Sequence, residues 1–261
     1  MRVLLTNDDG IFAAGLDALR TALADLAEAL YVIAPDRERS ATGHSITVHR
    51  PIRVREACYN DGHCRGWTVD GTPADCVKLG LESLLPETPD LVIAGINLGP
   101  NLGTDVLYSG TVSAAMEGLI NGVPAIAVSL ADHGPVSGEV SFAHAARFVR
   151  RLVPLLLRHR ETLPAGTLLN INVPAGSPVE CRITRLGHLR YANAVTRRTD
   201  PRGRDYYWMA GKPFSPDGHD PDTDIGAVRN GYISITPVQF DLTNYTAMET
   251  LKTWLVNRSN C

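Results

Sequence analysis

Polar side chains that could hold a cation follow three apolar runs of the sequence. Asp8 and Asp9 come directly after the first run, Ser40 comes shortly after the second, and Asn97 comes after a later one. Carboxylate, hydroxyl and amide oxygens are the ligands that hard divalent cations such as Mg²⁺ and Mn²⁺ take in proteins. The residue types therefore indicate a divalent metal site if the fold brings these segments together.

The adjacent carboxylates of Asp8 and Asp9 are the centre of this hypothesis. Two neighbouring carboxylates repel each other unless a cation or a proton lies between them. The same residues are also ordinary in an Asx-type turn, where each Asp would be hydrated, so the dipeptide alone leaves both interpretations open. Because two carboxylates cancel the charge of a divalent cation, a phosphate dianion at the site would need further donors.

Those donors could come from Ser109, Gly110 and Thr111. Small hydroxylated residues and glycine stand there at a predicted helix start, where free backbone N–H groups and the helix dipole favour an anion. Helix capping by Ser109 or Thr111 would explain the same residues. The segment is not a Walker loop, because the Gly-Lys-Ser/Thr of that motif is absent.

The elements that must position these residues alternate between strand and helix. Apolar strands separated by helices predict an α/β fold, a Rossmann-like and mostly parallel sheet with helices on both faces. In such a sheet, ligands bind in the loops after the strands, so the loops that carry the polar residues can converge at one edge. The predicted strands are 2–6, 31–34, 91–94, 125–128, 168–173 and 233–235, with an extended segment at 45–54, and the predicted helices are 16–30, 72–85, 111–121, 142–158 and 248–256.

The regular alternation of predicted strands and helices ends in the last third of the sequence. We predict a metal- and phosphate-binding α/β core at 1–185 and a smaller C-terminal region at 186–261. The stretch 186–222 has little core signal and carries the aromatic cluster Tyr-Tyr-Trp at 206–208. A stretch of this kind is either a functional loop or an arm, and its aromatic side chains favour an arm that packs on a partner subunit.

Composition excludes several classes of protein. Lys and Arg number 25 against 28 Asp and Glu, a net charge of −3, which gives no electrostatic footprint for nucleic acid or an anionic membrane. No segment reaches the roughly 18 apolar residues of a membrane span, and no signal-peptide core follows Met1. The five cysteines are odd in number and sparse, so we expect reduced thiols and a cytoplasmic protein.

Three further residues carry less weight. His44 lies in the Ser40 loop, and a surface position suits it better than a supporting role behind a metal ligand. His219 stands among four aspartates at 217–224, which favours a solvated acidic loop over a second metal site. Cys76 lies inside a predicted helix and is expected in the core.

Several long motifs also follow one another in a fixed order along the chain. They are MRVLLTNDDG at 1–10, APD and RS within 34–40, SIT at 45–47, GTPADC at 71–76, GINLGPNLG at 95–103, YSGTV at 108–112, DTD at 222–224 and GYISITP at 231–237. In this order they resemble the stationary-phase survival protein (SurE) family of metal-dependent nucleotidases. The resemblance covers nearly the whole chain.

The resemblance implies an α/β fold with a smaller C-terminal part, whose swapped arms build homodimers or homotetramers. It implies one divalent cation per subunit, Mg²⁺ or Mn²⁺, and hydrolysis of nucleoside 5′- and 3′-monophosphates to nucleoside and phosphate. The implied catalytic residues are Asp8 and Asp9, the implied metal ligands are Asp8, Asp9, Ser40 and Asn97, and the implied phosphate contacts are Asn97, Ser109, Gly110 and Thr111.

Two other functions stay open on the sequence. A broad-specificity phosphatase would use the same site without a base pocket, and a nucleotide-binding module would keep the site without turnover. For hydrolysis, attack by water is favoured over attack by Asp8 or Asp9, because the spaced Asp-x-Asp of phosphoaspartate enzymes is absent.

Overall fold

The apolar runs of the sequence form the strands of a central sheet. The computed structural model of the protein describes residues 1–59, 64–132, 140–176, 180–209 and 211–256. In chain order, the strands of this part are β1 (Arg2–Thr6), β2 (Ala29–Pro35), β3 (Val54–Cys58), β4 (Cys64–Val69), β5 (Leu91–Leu98), β6 (Ala125–Ala131), β7 (Leu168–Pro174), β8 (Cys181–Ile183), β9 (Arg190–Ala192), β10 (Val195–Thr199), β11 (Asp205–Met209), β12 (Lys212–Phe214) and β13 (Ile233–Val238).

Helices connect most of the long strands. They are α1 (Ala14–Leu23), α2 (Pro73–Leu79), α3 (Gly110–Ile120), α4 (Ala143–His159), α5 (Asp224–Arg229) and α6 (Tyr245–Leu251). Single π-helical turns at Gly80–Leu84 and Lys252–Val256 extend α2 and α6, and a 3₁₀ turn at Gly103–Leu107 precedes α3. None of the helices in the described ranges is long and apolar enough to cross a membrane.

The central sheet is mostly parallel. Its strand order is β3-β4-β2-β1-β5-β6-β7-β13-β8. The six inner strands from β4 to β7 pair in parallel, whereas β3 pairs antiparallel with β4 and β13 pairs antiparallel with β7. The predicted Rossmann-like sheet is confirmed, and the carboxyl ends of β1, β2 and β5 lie side by side at one edge.

Helices cover both faces of this sheet, as the sequence predicts. On β1, Val3 and Leu5 pack in one cluster with α1 and α4, while Leu4 packs in a second cluster with α2 and α3. All three side chains are fully buried. Since successive side chains of a strand point to opposite faces, a strand covered on both sides must be apolar throughout.

Two predicted segments differ from the structure at their ends. The helix predicted at 16–30 ends at Leu23, because Leu30 is a buried residue of β2 whose position happens to continue the helical spacing. The strand predicted within 45–54 begins only at Val54. The preceding loop is instead bound to the start of α2, where Asp75 Oδ1 accepts a hydrogen bond from Thr47 N at 3.0 Å.

The stretch predicted as an arm consists of short antiparallel pairs. Strands β10 and β11 form one pair, and β9 and β12 form another, both outside the central sheet. Tyr206, Tyr207 and Trp208 on β11 are 41%, 59% and 58% exposed. Helix α6, which covers part of the predicted helix 248–256, buries no residue against its own chain. Contact of this region with a partner subunit stays a prediction.

The cysteines that the structure describes agree with the expectation of reduced thiols. Cys64, Cys76 and Cys181 are free, whereas Cys261 and the side chain of Cys58 lie outside the described part of the chain. Cys76 is fully buried on α2, as predicted. The predicted division of the chain at residue 185 stays a prediction, although β13 from the second part completes the sheet of the first.

Candidate active site

The loop after β1 is folded by Asn7. Its side-chain amide donates to Gly10 O at 2.8 Å, and Gly10 N donates back to Asn7 Oδ1 at 3.2 Å. Gly10 has a φ of +106°, a conformation that favours glycine. Because Asn7 makes the Asx-type turn, the carboxylates of Asp8 and Asp9 are not needed for it.

Asp8 is a buried carboxylate and not a hydrated one. It is 5% exposed, and its Oδ1 accepts a hydrogen bond from the Thr111 hydroxyl at the start of α3. Burial raises the pKa of Asp8, and the Thr111 bond opposes that rise. The interpretation of Asp8 as a solvated turn residue is therefore wrong.

Asp9 shares this environment. Burial and, second, the charge of Asp8 raise the pKa of Asp9 to about 6, while a hydrogen bond from Leu98 N lowers it. That bond joins Leu98 N to Asp9 Oδ2 at 3.3 Å. The carboxylate of Glu38 adds a smaller repulsion to both aspartates. The concentration of negative charge is the feature that a bound cation would relieve.

The loop of Ser40 lies against Asp8. The neighbouring Arg39 N donates to Asp8 O at 2.7 Å, and the Ser40 hydroxyl donates to Glu38 Oε1 at 2.6 Å. Since the Ser40 hydroxyl donates its proton to Glu38, its oxygen lone pairs are left for a cation. The sequence did not single out Glu38, whose type and position are those of any charged loop residue.

Asn97 stands near the end of β5, the neighbour of β1. Its side-chain nitrogen donates to Gly99 O at 2.8 Å, which leaves the amide oxygen to serve as a ligand. The adjacent Leu98 makes the bond to Asp9 described above. Hydrogen bonds from Thr111, Arg39 and Leu98 thus bring α3, the Ser40 loop and β5 to the two aspartates.

The start of α3 has two separate roles. Ser109 is its N-cap, with Oγ accepting a hydrogen bond from Val112 N at 3.1 Å, so the capping interpretation is confirmed for Ser109. Thr111 does not cap the helix but binds Asp8. The backbone N–H groups of Gly110 and Thr111 belong to the first turn, which has no intrahelical acceptor for them. The Thr111 N–H is directed at the Asp8 carboxylate and helps to lower its pKa, whereas the Gly110 N–H can bind an anion.

Gly110 is where the helix start meets Asp8 most closely. A Cβ at this position would lie 2.9 Å from both Asp8 Cβ and Asp8 Oδ2. Contacts that short do not occur between real side chains, so a larger residue would displace Asp8. Glycine is required here for the approach of the helix to the carboxylate.

The donor set fits a hard divalent cation. Asp8 and Asp9 supply two carboxylates, and Ser40 and Asn97 supply neutral oxygens, which leaves places for water or a phosphoryl oxygen. Within the described residues, no group of three or more His, Cys, Asp and Glu side chains is placed to hold a metal. The proposed site thus depends on the two neutral ligands, and the ligand and phosphate roles of all these residues stay predictions.

The acidic loop near the C-terminus is not simply solvated. Asp224 is fully buried, and it accepts hydrogen bonds from Gly103 N at 2.7 Å and from Gly187 N at 2.8 Å. The Asp217 carboxylate forms hydrogen bonds with the backbone N and Nδ1 of His188. The exposed His219 takes part in neither of these bonds. The prediction of a solvated loop is wrong for Asp224. In the sequence, the position of Asp224 between a helix-capping residue, Thr223, and an apolar residue, Ile225, was the available indication that it is buried.

A cavity of about 430 Å³ lies beside α3, where Val112 and Ser113 line it. Its walls are mostly apolar and come from the 3₁₀ turn, from α3 and from the segment after β13. None of the seven predicted site residues lines it, although His44 does. The cavity lacks the paired carboxylates Asp8 and Asp9, and the assignment of the chemistry to the sheet edge stays a prediction.

The chain resembles known proteins over nearly its whole length. The family model described as "Survival protein SurE" matches residues 3–193. A protein named 5′-nucleotidase SurE from Desulforudis audaxviator (strain MP104C) is 76% identical over 257 residues, covering 98% of each chain. Another from Pelotomaculum thermopropionicum is 62% identical over 252 residues, covering 97% of this chain and 94% of that one. A crystal structure of the SurE protein from Aquifex aeolicus matches with a TM-score of 0.81 at 42% identity, covering 97% of this chain and 99% of that one.

Proposed function

The chain belongs to the SurE family, and from that premise we propose that it is a divalent-metal-dependent phosphomonoesterase acting on nucleoside 5′- and 3′-monophosphates. Family membership supports nucleotidase activity, since the relatives compared above are named 5′-nucleotidases. The requirement for a divalent cation, Mg²⁺ or Mn²⁺, and the activity on 3′-monophosphates are the further parts of the proposal.

One contact carries the proposal. The Thr111 hydroxyl donates to Asp8 Oδ1, which places the start of α3 directly against the paired carboxylates. A helix start attracts a phosphate, and paired carboxylates attract a divalent cation. Their direct contact allows one phosphate group to bind both, which is the arrangement that phosphomonoester hydrolysis needs.

Different residues of the chain would bind the cation and the phosphate. Asp8, Asp9, Ser40 and Asn97 would hold the cation. When bound, it supplies Lewis acidity towards a phosphoryl oxygen and lowers the pKa of a coordinated water. Ser109, Gly110 and Thr111 at the start of α3 would hold the phosphoryl oxygens where negative charge increases during the reaction.

Water is the nucleophile that the carboxylates favour. One oxygen of Asp8 accepts a hydrogen bond from the Thr111 hydroxyl, and one oxygen of Asp9 accepts a hydrogen bond from Leu98 N. With their other oxygens assigned to the cation, neither carboxylate is free to attack phosphorus. The proposed reaction therefore releases nucleoside and phosphate without a phosphorylated enzyme.

The proposal includes the state of the protein in the cell. We assign it to the cytoplasm, which suits the free thiols of Cys64, Cys76 and Cys181. We also assign it a homodimeric or homotetrameric assembly, supported by the exposed aromatic side chains of β11. The substrate would be a nucleoside monophosphate, and the net charge of −3 gives no electrostatic sign of nucleic-acid binding.

Phosphate release tests the proposal. The substrates are AMP, GMP, CMP, UMP, 3′-AMP and an aryl phosphate, each with Mg²⁺, with Mn²⁺ and with EDTA. We expect metal-dependent turnover that favours the nucleotides and includes 3′-AMP. Turnover of the aryl ester alone would indicate a broad-specificity phosphatase, and nucleotide binding without turnover would indicate a binding module.

A further inference from the structure

We propose that His44 is a positioning residue for the metal site, because its side chain ties the loop of Ser40 to α3. The inference rests on the proposed function and extends it to a residue outside the predicted ligand set. Its basis is a contact between His44 and the buried carboxylate of Glu117.

The contact has a defined direction. His44 Nε2 lies 2.8 Å from Glu117 Oε2, and Glu117 on α3 is 5% exposed. The hydrogen bond to His44 is the main cause that lowers the pKa of Glu117, so this carboxylate is ionised at neutral pH. An ionised carboxylate only accepts hydrogen bonds, and His44 Nε2 therefore carries the hydrogen.

Glu117 is a fixed partner for this bond. Its Oε1 accepts from Asn121 Nδ2 at 3.0 Å, one turn further along α3, and Lys78 Nζ of α2 lies 3.4 Å away. The carboxylate is thus held from α2 and from its own helix. A loop that binds it takes its position from α3, the helix whose first turn contacts Asp8.

Ser40 stands between two attachments of its loop. On one side, Arg39 N donates to Asp8 O at 2.7 Å; on the other, Gly43 N donates to Tyr108 O at 3.0 Å. Ala41 and Gly43 both have a φ of +55°, so the backbone between the attachments turns sharply. The attachment that follows Ser40 consists of the Gly43 hydrogen bond and the His44 side chain. Without that side chain, only the Gly43 hydrogen bond would remain there.

The position of His44 suits placement of the loop more than stabilisation of the fold. Its side chain is 32% exposed, and it is one of the residues that line the apolar cavity beside α3. Truncating it removes little buried apolar surface. We therefore expect the variant to hold the Ser40 hydroxyl less precisely in position, and to bind the metal more weakly as a result.

The test compares three variants. His44→Ala removes the donor, His44→Gln keeps an N–H that can reach Glu117, and His49→Ala removes an exposed histidine from the following segment as the matched control. Mn²⁺ binding is measured by titration calorimetry without substrate, and AMP hydrolysis is measured against Mn²⁺ concentration. Thermal unfolding of each variant is recorded alongside.

We expect His44→Ala to raise the Kd for Mn²⁺ about tenfold, the lower end of what loss of an outer-sphere partner does to a metal site. Its kcat at saturating Mn²⁺ should approach that of the unaltered protein, His44→Gln should recover most of the affinity, and His49→Ala should change neither. If His44→Ala does not fold, His44→Leu fills the space without a donor and carries the same expectation.

An unchanged Kd in the folded donor-less variant, or an equal rise in His49→Ala, would overturn the inference. Both results leave the proposed function standing if the unaltered protein hydrolyses AMP with Mn²⁺ in the same assay. A protein that neither binds Mn²⁺ nor needs it for phosphate release would overturn the inference and the proposed function together.

Discussion

Asp9 would bind protons and a divalent cation with the same carboxylate. Burial and the charge of Asp8 raise its pKa to about 6 in the metal-free protein. Because the proton competes with the cation, we expect the affinity for Mn²⁺ to fall as the pH drops through that value. Calorimetry one pH unit above and one below it measures this, and equal affinities would contradict the expectation.

The raised pKa of Asp9 also affects folding. The native protein binds this proton more tightly than the unfolded chain does, so ionisation of Asp9 above its pKa destabilises the metal-free fold. We expect Asp9→Asn to raise the free energy of unfolding by about 1 kcal/mol at pH values above the pKa, after allowance for solvent screening. Denaturant titration in EDTA measures this change, and the gain should disappear at pH values below the pKa of the free Asp side chain.

The same substitution should remove activity. Loss of an outer-sphere partner alone reduces metal affinity or activity about 10–100-fold, and a direct ligand should matter more. We therefore expect Asp9→Asn to lose more than about 100-fold in AMP hydrolysis while remaining folded. A folded variant with ordinary turnover would remove Asp9 from the proposed site.

The placement of α3 gives a prediction for the helix as an element. Gly110→Ala brings a Cβ to 2.9 Å from Asp8, and Gly118→Ala brings one equally close to Val92 in the core. Both variants should lose stability, typically about 1–3 kcal/mol for overpacking. Only Gly110→Ala should also weaken Mn²⁺ binding, because only that contact displaces a proposed ligand. Equal Mn²⁺ affinities in the two variants would contradict the assigned role of Gly110.

The elements that position the site follow closely from the sequence. The start of α2 is predicted by Thr72, Pro73 and Asp75, and the structure has the reciprocal capping bonds between Thr72 and Asp75. Strands β1 and β5 are predicted because both of their faces are covered, which requires continuous apolar runs. Prediction failed at the end of α1, where the helix and the next strand are both apolar and no glycine or proline separates them.

The contacts between elements were beyond the sequence. The types of Asp8, Asp9, Ser40 and Asn97 indicate a cation site, but their order does not show that Thr111 binds Asp8. His44 and Glu117 are 73 residues apart, and neither belongs to a local pattern that would pair them. Burial of a charged residue depends on which segments fold over it, and that is a property of the tertiary structure.

At the scale of the whole molecule, the exposed aromatic side chains of β11 predict self-association. Tyr207 and Trp208 are more than half exposed, a large apolar area for a surface that faces only water. We expect light scattering to give at least twice the chain mass of 28.2 kDa. The double variant Tyr207→Ser with Trp208→Ser should lower it, while Leu155→Ser on α4, also about half exposed, should not. A protein of single-chain mass would contradict the proposed assembly.

The buried carboxylate of Asp224 limits which segments two members of this family could exchange by recombination. All seven predicted site residues lie before residue 112, yet the loop that joins β5 to α3 is held by Asp224 through Gly103 N. A chimaera that took its first 185 residues from one relative and the remainder from another would inherit the chemistry from one parent and the support of that loop from the other. Recombination between relatives should therefore succeed only where both parents agree on this buried contact.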